Sequence, residues 1–384
     1  MSSAPSNDRP AARLPILHKL MLSLSVTLVT AEVFLRVDDA FAEPPRDAEF
    51  YLPIEDAKSL YVPHPHLSTV LKPGFVRKPV PGSQSYATRI NSLGMRGKEM
   101  TVEKPPGVFR ILCLGGSTTY GTATSESRFS YPAQLERMLN SVAPEGVRYE
   151  VGNCGVPGYL TNDSLINLQL RLLDYEPDAL LVYHAANDSR PIQASGFKSD
   201  YSHMRTPWSD EKLSATELFL MRYWRTFARL TRGTDPEEQL RAMGTHILVP
   251  DYRELHVPSH VGVPPKGLLA FRRNIKSIVG VARENGIQTV LQTFAVCPSR
   301  FRPGNEHFFG TIRELNKVLR TFASDSDVPI IEIAEELHNR GDLYDDWMHL
   351  NDEGSREHAK LIFSALREQG LFGLPAPDAT PEDE

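Results

Sequence analysis

Phe109-Arg110-Ile111-Leu112-Cys113-Leu114-Gly115-Gly116-Ser117-Thr118-Thr119-Tyr120-Gly121 is a mostly apolar run that stops at a turn of small residues. Its first six residues have the length and the apolar content of a buried strand. Gly115 and Gly116 then permit a tight turn that lifts the Ser117 hydroxyl, and its own N–H, clear of the strand. The competing reading is a turn that cradles phosphate. It is disfavoured because no lysine follows at Walker spacing and the G-x-G-x-x-G order is absent.

Working outward, short apolar or β-branched runs recur at Tyr149–Asn153, Ala179–Tyr183, Gln288–Phe294 and Pro329–Ile333. Helical periodicity lies between them. Leu135, Met138, Leu139 and Val142 share one face after the N-cap candidate Ser130. Leu165, Leu168 and Leu172 do so after Thr161, and Phe271, Ile275, Ile278 and Ala282 after Gly267. Helices are also expected near 310–323 and 352–368. Strands alternating with helices predict an α/β protein with a parallel sheet, because parallel neighbours need crossover connections. Ligands bind such sheets at the carboxyl ends of the strands. Gly115, Gly158, Asn187 and the loop carrying His349 all follow predicted strands, so they converge on one edge.

Far downstream, Tyr344-Asp345-Asp346-Trp347-Met348-His349-Leu350-Asn351-Asp352-Glu353-Gly354 sets an aspartate three residues before a histidine. A serine hydroxyl is a weak nucleophile until a neutral imidazole takes its proton, and the imidazole needs a carboxylate to fix its tautomer. Ser117, His349 and Asp346 supply those three chemical types. The chain has 12 histidines, and a lone histidine is more often structural; the flanking segment singles out His349.

Four blocks, Gly115-Gly116-Ser117, Asn153-Cys154-Gly155-Val156-Pro157-Gly158, Ala185-Ala186-Asn187-Asp188 and Asp346-Trp347-Met348-His349, resemble in order and separation those of the SGNH/GDSL hydrolase family. The resemblance runs from about Phe109 to Arg367. It implies a three-layer α/β/α sandwich around a five-stranded parallel sheet, the flavodoxin-like fold of that family. It also implies that Ser117 is the nucleophile, with His349 as general base and acid and Asp346 orienting it. The backbone N–H groups of Ser117 and Gly158 and the side-chain amide of Asn187 would form an oxyanion hole. Taken singly, Gly158 is equally a turn residue and Asn187 equally a loop or helix cap. The first block departs from the usual Gly-Asp-Ser and is similar to a Gly-Gly-Ser-Thr variant of bacterial members with an N-terminal apolar segment. Ala185 stands where glycine is usual. Arg89-Ile90-Asn91-Ser92-Leu93-Gly94-Met95-Arg96-Gly97 resembles a segment of the same branch, expected to brace the sheet edge and able to bring Arg96 near the site.

At 384 residues, with 41% hydrophobic and 23% charged, the chain is long and apolar enough to bury a full core. A formal charge of -6 without basic clusters excludes a general nucleic-acid binder. Cys113, Cys154 and Cys297 are far apart with no C-x-x-C pair, and no metal-ligand spacing is present. Neither metal nor other cofactor is expected.

The expected organisation is a targeting or anchor segment at 1–42, a Pro-rich extension at 43–104, a hydrolase domain at 105–370 and an acidic tail at 371–384. Leu20 to Ala31 is uncharged, which suits a signal-peptide core; Glu32 and Arg36 interrupt its extension to a full span. Membrane association through residues 14–36 and export, or an outward-facing anchor, are expected; the alternatives are an amphipathic helix packed on the domain or lying on a membrane surface, and a cytoplasmic location. The insertion at 196–266 carries a capping-box signature at Ser214 and Glu217 and reads equally as a lid or a packing element. The function expected is hydrolysis of small-molecule or carbohydrate esters, O-acetyl groups among them, through an acyl-serine intermediate. The alternatives are an O-acyltransferase for envelope glycans, using the same residues, and a non-catalytic glycan-binding protein of the same fold.

Overall fold

A computed structural model of the chain describes residues 13–41, 60–62, 64–78, 87–194, 196–204, 262–300 and 306–376. Helix α1 (Arg13–Phe41) belongs to one compact unit, and the described residues from Leu60 onward belong to a second. The α1 helix continues through Glu32 and Arg36, where the charges were expected to end the apolar segment. Backbone hydrogen bonding is indifferent to an isolated charged side chain, so the helix does not stop there. Its window His18–Leu35 is 18 residues of mean hydropathy 1.4, none of it buried.

The second unit opens with two small hairpins. Strands β1 (Tyr61–Val62) and β2 (Val70–Leu71) pair antiparallel, as do β3 (Val76–Arg77) and β4 (Thr88–Arg89). The main sheet is built from β5 (Val108–Gly115), β6 (Arg148–Asn153), β7 (Ala179–Tyr183), β8 (Gln288–Gln292) and β9 (Ile330–Ile331). Its order is β6-β5-β7-β8-β9, and every pairing is parallel. Ala179 to Tyr183 are all buried, as a strand covered on both faces must be. Strand β8 is shorter than the apolar run: the Thr293 N–H still donates to the Ile331 carbonyl of β9 at 3.0 Å, but Phe294 has both its N–H and its carbonyl bound by the Asn316 side chain.

Nine described helices include α2 (Ser117–Tyr120), α3 (Tyr131–Ser141), α4 (Thr161–Asn167), α5 (Ala186–Gln193), α6 (Pro265–Glu284), α7 (Glu306–Ser326), α8 (Ile333–Leu337) and α9 (Asp352–Glu368), besides α1. Six of them form two packed sets, α3 with α9, and α4, α5 and α7 around α6. The result is the three-layer α/β/α sandwich. Phe271, Ile275, Ile278 and Ala282 are buried as their spacing required. The periodicity after Thr161 is not one α-helix. After Asn167 the chain widens into a π-turn over Leu168–Leu172, which keeps Leu168 and Leu172 buried. Ser130 stands at the N-cap of α3, but its hydroxyl donates back to the Ser127 carbonyl instead of capping. Ser214, Glu217 and most of the 196–266 insertion lie outside the described residues.

Sheet order also decides where a ligand can enter. From β5 the chain crosses to β6 on one side and then returns to β7 on the other. The loops leaving the carboxyl ends of β5 and β7 therefore diverge and leave a crevice between neighbouring strands.

Candidate active site

Ser117 occupies that crevice at the start of α2, directly after β5. Two glycines make the placement possible. A side chain at Gly115 would collide with Thr119 and with the Tyr183 carbonyl, and a Cβ at Gly116 would lie 2.5 Å from Asn187 Nδ2. Among the described residues the Ser117 N–H has no protein acceptor, as expected of the first turn of a helix.

His349 reaches Ser117 from the loop between α8 and α9. Its Nε2 is 2.7 Å from Ser117 Oγ, and its Nδ1 is 2.5 Å from Asp346 Oδ2. The other Asp346 oxygen accepts the N–H groups of Met348 at 2.7 Å and His349 at 2.8 Å. Burial opposes the charge on Asp346, but the facing His349 ring, its hydrogen bond and the two amides outweigh burial and hold the carboxyl below the ordinary carboxylate range. An ionised Asp346 only accepts, so the ring proton sits on Nδ1 and the Nε2 lone pair faces the serine hydroxyl. The loop is itself fixed. Tyr344 bridges Leu350, the Asp345 N–H donates to the His349 carbonyl, and the Cys297 N–H donates to the Trp347 carbonyl. Asp345, the neighbouring carboxylate, is exposed.

Asn187 opens α5 just past β7, the strand beside β5. Its Nδ2 donates to the Tyr159 carbonyl at 3.0 Å, leaving the second amide hydrogen for another acceptor. Gly158 lies on the loop after β6 in the left-handed region, φ 86°. That loop runs alongside the Gly115–Ser117 turn, since the Val156 N–H donates to the Gly115 carbonyl. The Gly158 N–H has no protein acceptor among the described residues. A shallow recess open to solvent lies above Ser117, between Gly116, Ser117 and Thr118 on one side and Tyr183 to Asn187, Phe294 and Met348 on the other. Gly158 is not among its lining residues.

A buried polar cluster sits behind Asn187. Asp188 accepts the Thr161 N–H at 3.1 Å and its hydroxyl at 2.5 Å, which ties α5 to α4. Asn274 adds a hydrogen bond to the same hydroxyl at 3.0 Å, and His184 Nε2 is 2.8 Å from Ser164 Oγ. Burial drives His184 down to about 3, and it pushes Asp188 up to about 7 against the Thr161 hydrogen bonds. The 3.8 Å approach of His184 to Asp188 is thus between a neutral imidazole and an acid that is about half protonated at neutral pH. Sequence reasoning included Asp188 in its block but gave it no task. It also missed Ser125, whose N–H and hydroxyl bind Asp352 at 2.8 and 2.5 Å and join the loop after α2 to the start of α9. Neither pair has a periodic or spacing signal.

A hydroxyl, an imidazole and a carboxylate in series, beside unpaired N–H donors at the end of a parallel sheet, are the chemical equipment of acyl transfer. Fold and family together define a hydrolase acting on ester bonds. The chain belongs to the GDSL-like Lipase/Acylhydrolase family, whose model matches residues 113–357. No curated protein sequence matches it. Among solved structures it is similar to a lipase/acylhydrolase from Enterococcus faecalis, at 16% identity over 70% of this chain and 99% of that one, TM-score 0.40. It is also similar to the acetyl xylan esterase AlAXEase, at 17% identity over 67% and 99%, TM-score 0.39. A catalytic mutant of an acetylxylan esterase from Geobacillus stearothermophilus gives 14% identity over 70% and 97%, TM-score 0.41.

Proposed function

We propose that the chain is a serine esterase that removes short acyl groups, O-acetyl groups on carbohydrate among them, through an acyl-Ser117 intermediate. The observation that carries this reading is the hydrogen-bonded series Ser117 Oγ, His349 and Asp346. In the first step Ser117 Oγ attacks the ester carbonyl while His349 Nε2 takes its proton. The carbonyl oxygen becomes an anion that accepts from the N–H groups of Ser117 and Gly158 and from the free amide hydrogen of Asn187. His349 then gives the proton to the leaving alcohol, and the carbon–oxygen bond to that alcohol breaks. A water attacks the acyl-serine, with His349 again taking and returning the proton, so that acid is released and Ser117 regenerated.

The small recess, with Ala185, Ala186, Phe294 and Met348 near the serine, supports an acyl group of a few carbons. Helix α1 is long enough to cross a bilayer, since 29 residues at about 1.5 Å each exceed the ~30 Å hydrocarbon thickness. Together with Arg13 and Lys19 at its start, this supports export or an outward-facing anchor.

The test is to label the full-length chain with a fluorophosphonate, locate the adduct by mass spectrometry, and compare p-nitrophenyl acetate, butyrate and octanoate as substrates. Adduct on Ser117, absent in His349→Ala, with acetate preferred, is the expected result. A folded chain that takes no label, or takes it elsewhere, would sink the nucleophile assignment.

A further inference from the structure

The segment Arg89 to Gly97 is a device for delivering one side chain. Asn91 organises it: its Oδ1 accepts the N–H groups of Leu93 and Met95, and its Nδ2 donates to the Lys98 carbonyl. Gly94 turns the chain in the left-handed region at φ 81°, the Gly97 N–H closes onto the Arg89 carbonyl, and Ile90 and Met95 are buried. The result is to drive Arg96 inward, where only 3% of it is exposed.

A buried guanidinium is costly unless its donors are satisfied. Here they are satisfied by the far end of the helix that starts at Ser117. Arg96 Nη1 donates to the carbonyls of Tyr120 at 2.7 Å and Gly121 at 2.5 Å and to Thr124 Oγ1 at 2.9 Å. Its Nε donates to Ser127 Oγ at 3.2 Å, and the cation lies 4.7 Å from the Tyr120 ring centre. Among the described residues no carboxylate pairs with it. Gly121 is the left-handed cap of the helix at φ 86°, and a Cβ there would lie 2.9 Å from Arg96 Nη1. The backbone of the segment is anchored too: the Arg96 N–H donates to the Asn153 carbonyl, and Asn153 Nδ2 donates to the Tyr120 carbonyl.

We infer that Arg96 is a positioning residue for the Ser117 nucleophile, capping the carboxyl end of the short helix Ser117–Tyr120 so that the serine at its other end is held against His349. The inference rests on the esterase reading above. In a helix of 4 residues there is a single turn between cap and serine, so slack at one end is passed directly to the other. The cation also faces the negative end of the peptide dipoles, which a neutral side chain cannot replace. Arg96 touches neither Ser117 Oγ nor the recess, so its effect falls on the placement of the nucleophile and not on substrate binding.

The test uses the full-length chain, with Arg96→Met, Arg96→Lys and two controls, Ile275→Val and Ile275→Ala, at a buried position in α6. The measurements are melting temperature, kcat and KM for p-nitrophenyl acetate, and the rate constant of Ser117 labelling per folded molecule. Arg96→Met is expected to lower kcat and labelling rate by about 10²-fold, the order expected for displacing a reacting group by an ångström, with KM changed by no more than about threefold. Arg96→Lys should recover part of the rate, and the Ile275 variants should keep wild-type kcat while melting earlier. If Arg96→Met does not fold, Arg96→Lys is decisive, with a labelling rate about tenfold below wild type expected from its fewer donors. Wild-type labelling rate in either folded Arg96 variant, or a loss matched by Ile275 variants of equal melting temperature, would overturn the inference. Wild-type protein that is not labelled at Ser117 would instead overturn the nucleophile assignment itself.

Discussion

Asp346→Asn separates a chemical role for this carboxylate from a structural one, because the geometry fixes how the new amide must sit. One oxygen of Asp346 is held by the Met348 and His349 N–H groups at 2.7 and 2.8 Å. Those donors require a carbonyl oxygen, so the asparagine NH2 must take the position of Oδ2, 2.5 Å from His349 Nδ1. Turning the amide the other way would set two backbone donors against an NH2, at about 1–3 kcal/mol for each lost acceptor. Facing an N–H, Nδ1 gives up its own proton and the ring adopts the Nε2–H tautomer. That proton then lies on the 2.7 Å line to Ser117 Oγ, and the ring cannot accept from the hydroxyl. The expected loss is about 10⁴-fold in kcat, or roughly 5.5 kcal/mol of barrier, with the fold intact and KM little changed. Steady-state hydrolysis of a short acyl ester and the rate of fluorophosphonate labelling both read it. Asp345→Asn is the matched control: its side chain is exposed, and rates within about twofold are expected of a surface substitution. More than a tenth of wild-type kcat in a folded Asp346→Asn enzyme would refute the reasoning.

Asn187→Ala removes the side-chain donor beside Ser117 and should lower kcat by about 10²–10³-fold, measured at saturating ester, with undiminished activity counting against its place in the oxyanion hole. Gly116→Ala places a Cβ 2.5 Å from Asn187 Nδ2 and should displace that amide from the Tyr159 carbonyl, reducing kcat by up to about 10²-fold while the melting temperature moves little. Asp188→Asn tests the buried cluster through pH. With the folded-state value raised from 3.8 to about 7, folded Asp188 keeps a proton that the unfolded chain has lost, so its contribution to stability falls as pH rises through that window. The variant lacks that slope of about 1.4 kcal/mol per pH unit, so its melting temperature relative to wild type should climb between pH 4 and 7 and then level off. A difference independent of pH would contradict it.

The α/β class was legible because it depends on local chemistry alone. Ala179–Tyr183 is an unbroken apolar run bounded by polar residues, and it forms a strand over those residues. The edges were less legible. Of the expected Pro329–Ile333 strand only Ile330–Ile331 is strand, because Ile333 already opens α8 and the sequence gives no sign of that change. The α9 helix, by contrast, spans the expected 352–368, with Asn351 as its cap, whose side chain accepts the Gly354 N–H.

The sequence by itself determined the parallel α/β architecture and the residue types needed for acyl transfer, because hydrophobic period and turn chemistry are properties of neighbouring residues. It did not determine which groups meet. Ser117 and His349 are separated by 232 residues, and only the sheet order, by opening a crevice between β5 and β7, brings them within 2.7 Å. The same holds for Arg96. Its motif was visible as a string, but that its guanidinium lies on the carbonyls of Tyr120 and Gly121 follows from burial against the turn after β5. Spacing in the chain says nothing about a contact across 24 residues; the packed fold chooses the partner, because a buried cation must find acceptors wherever the tertiary structure leaves them unpaired.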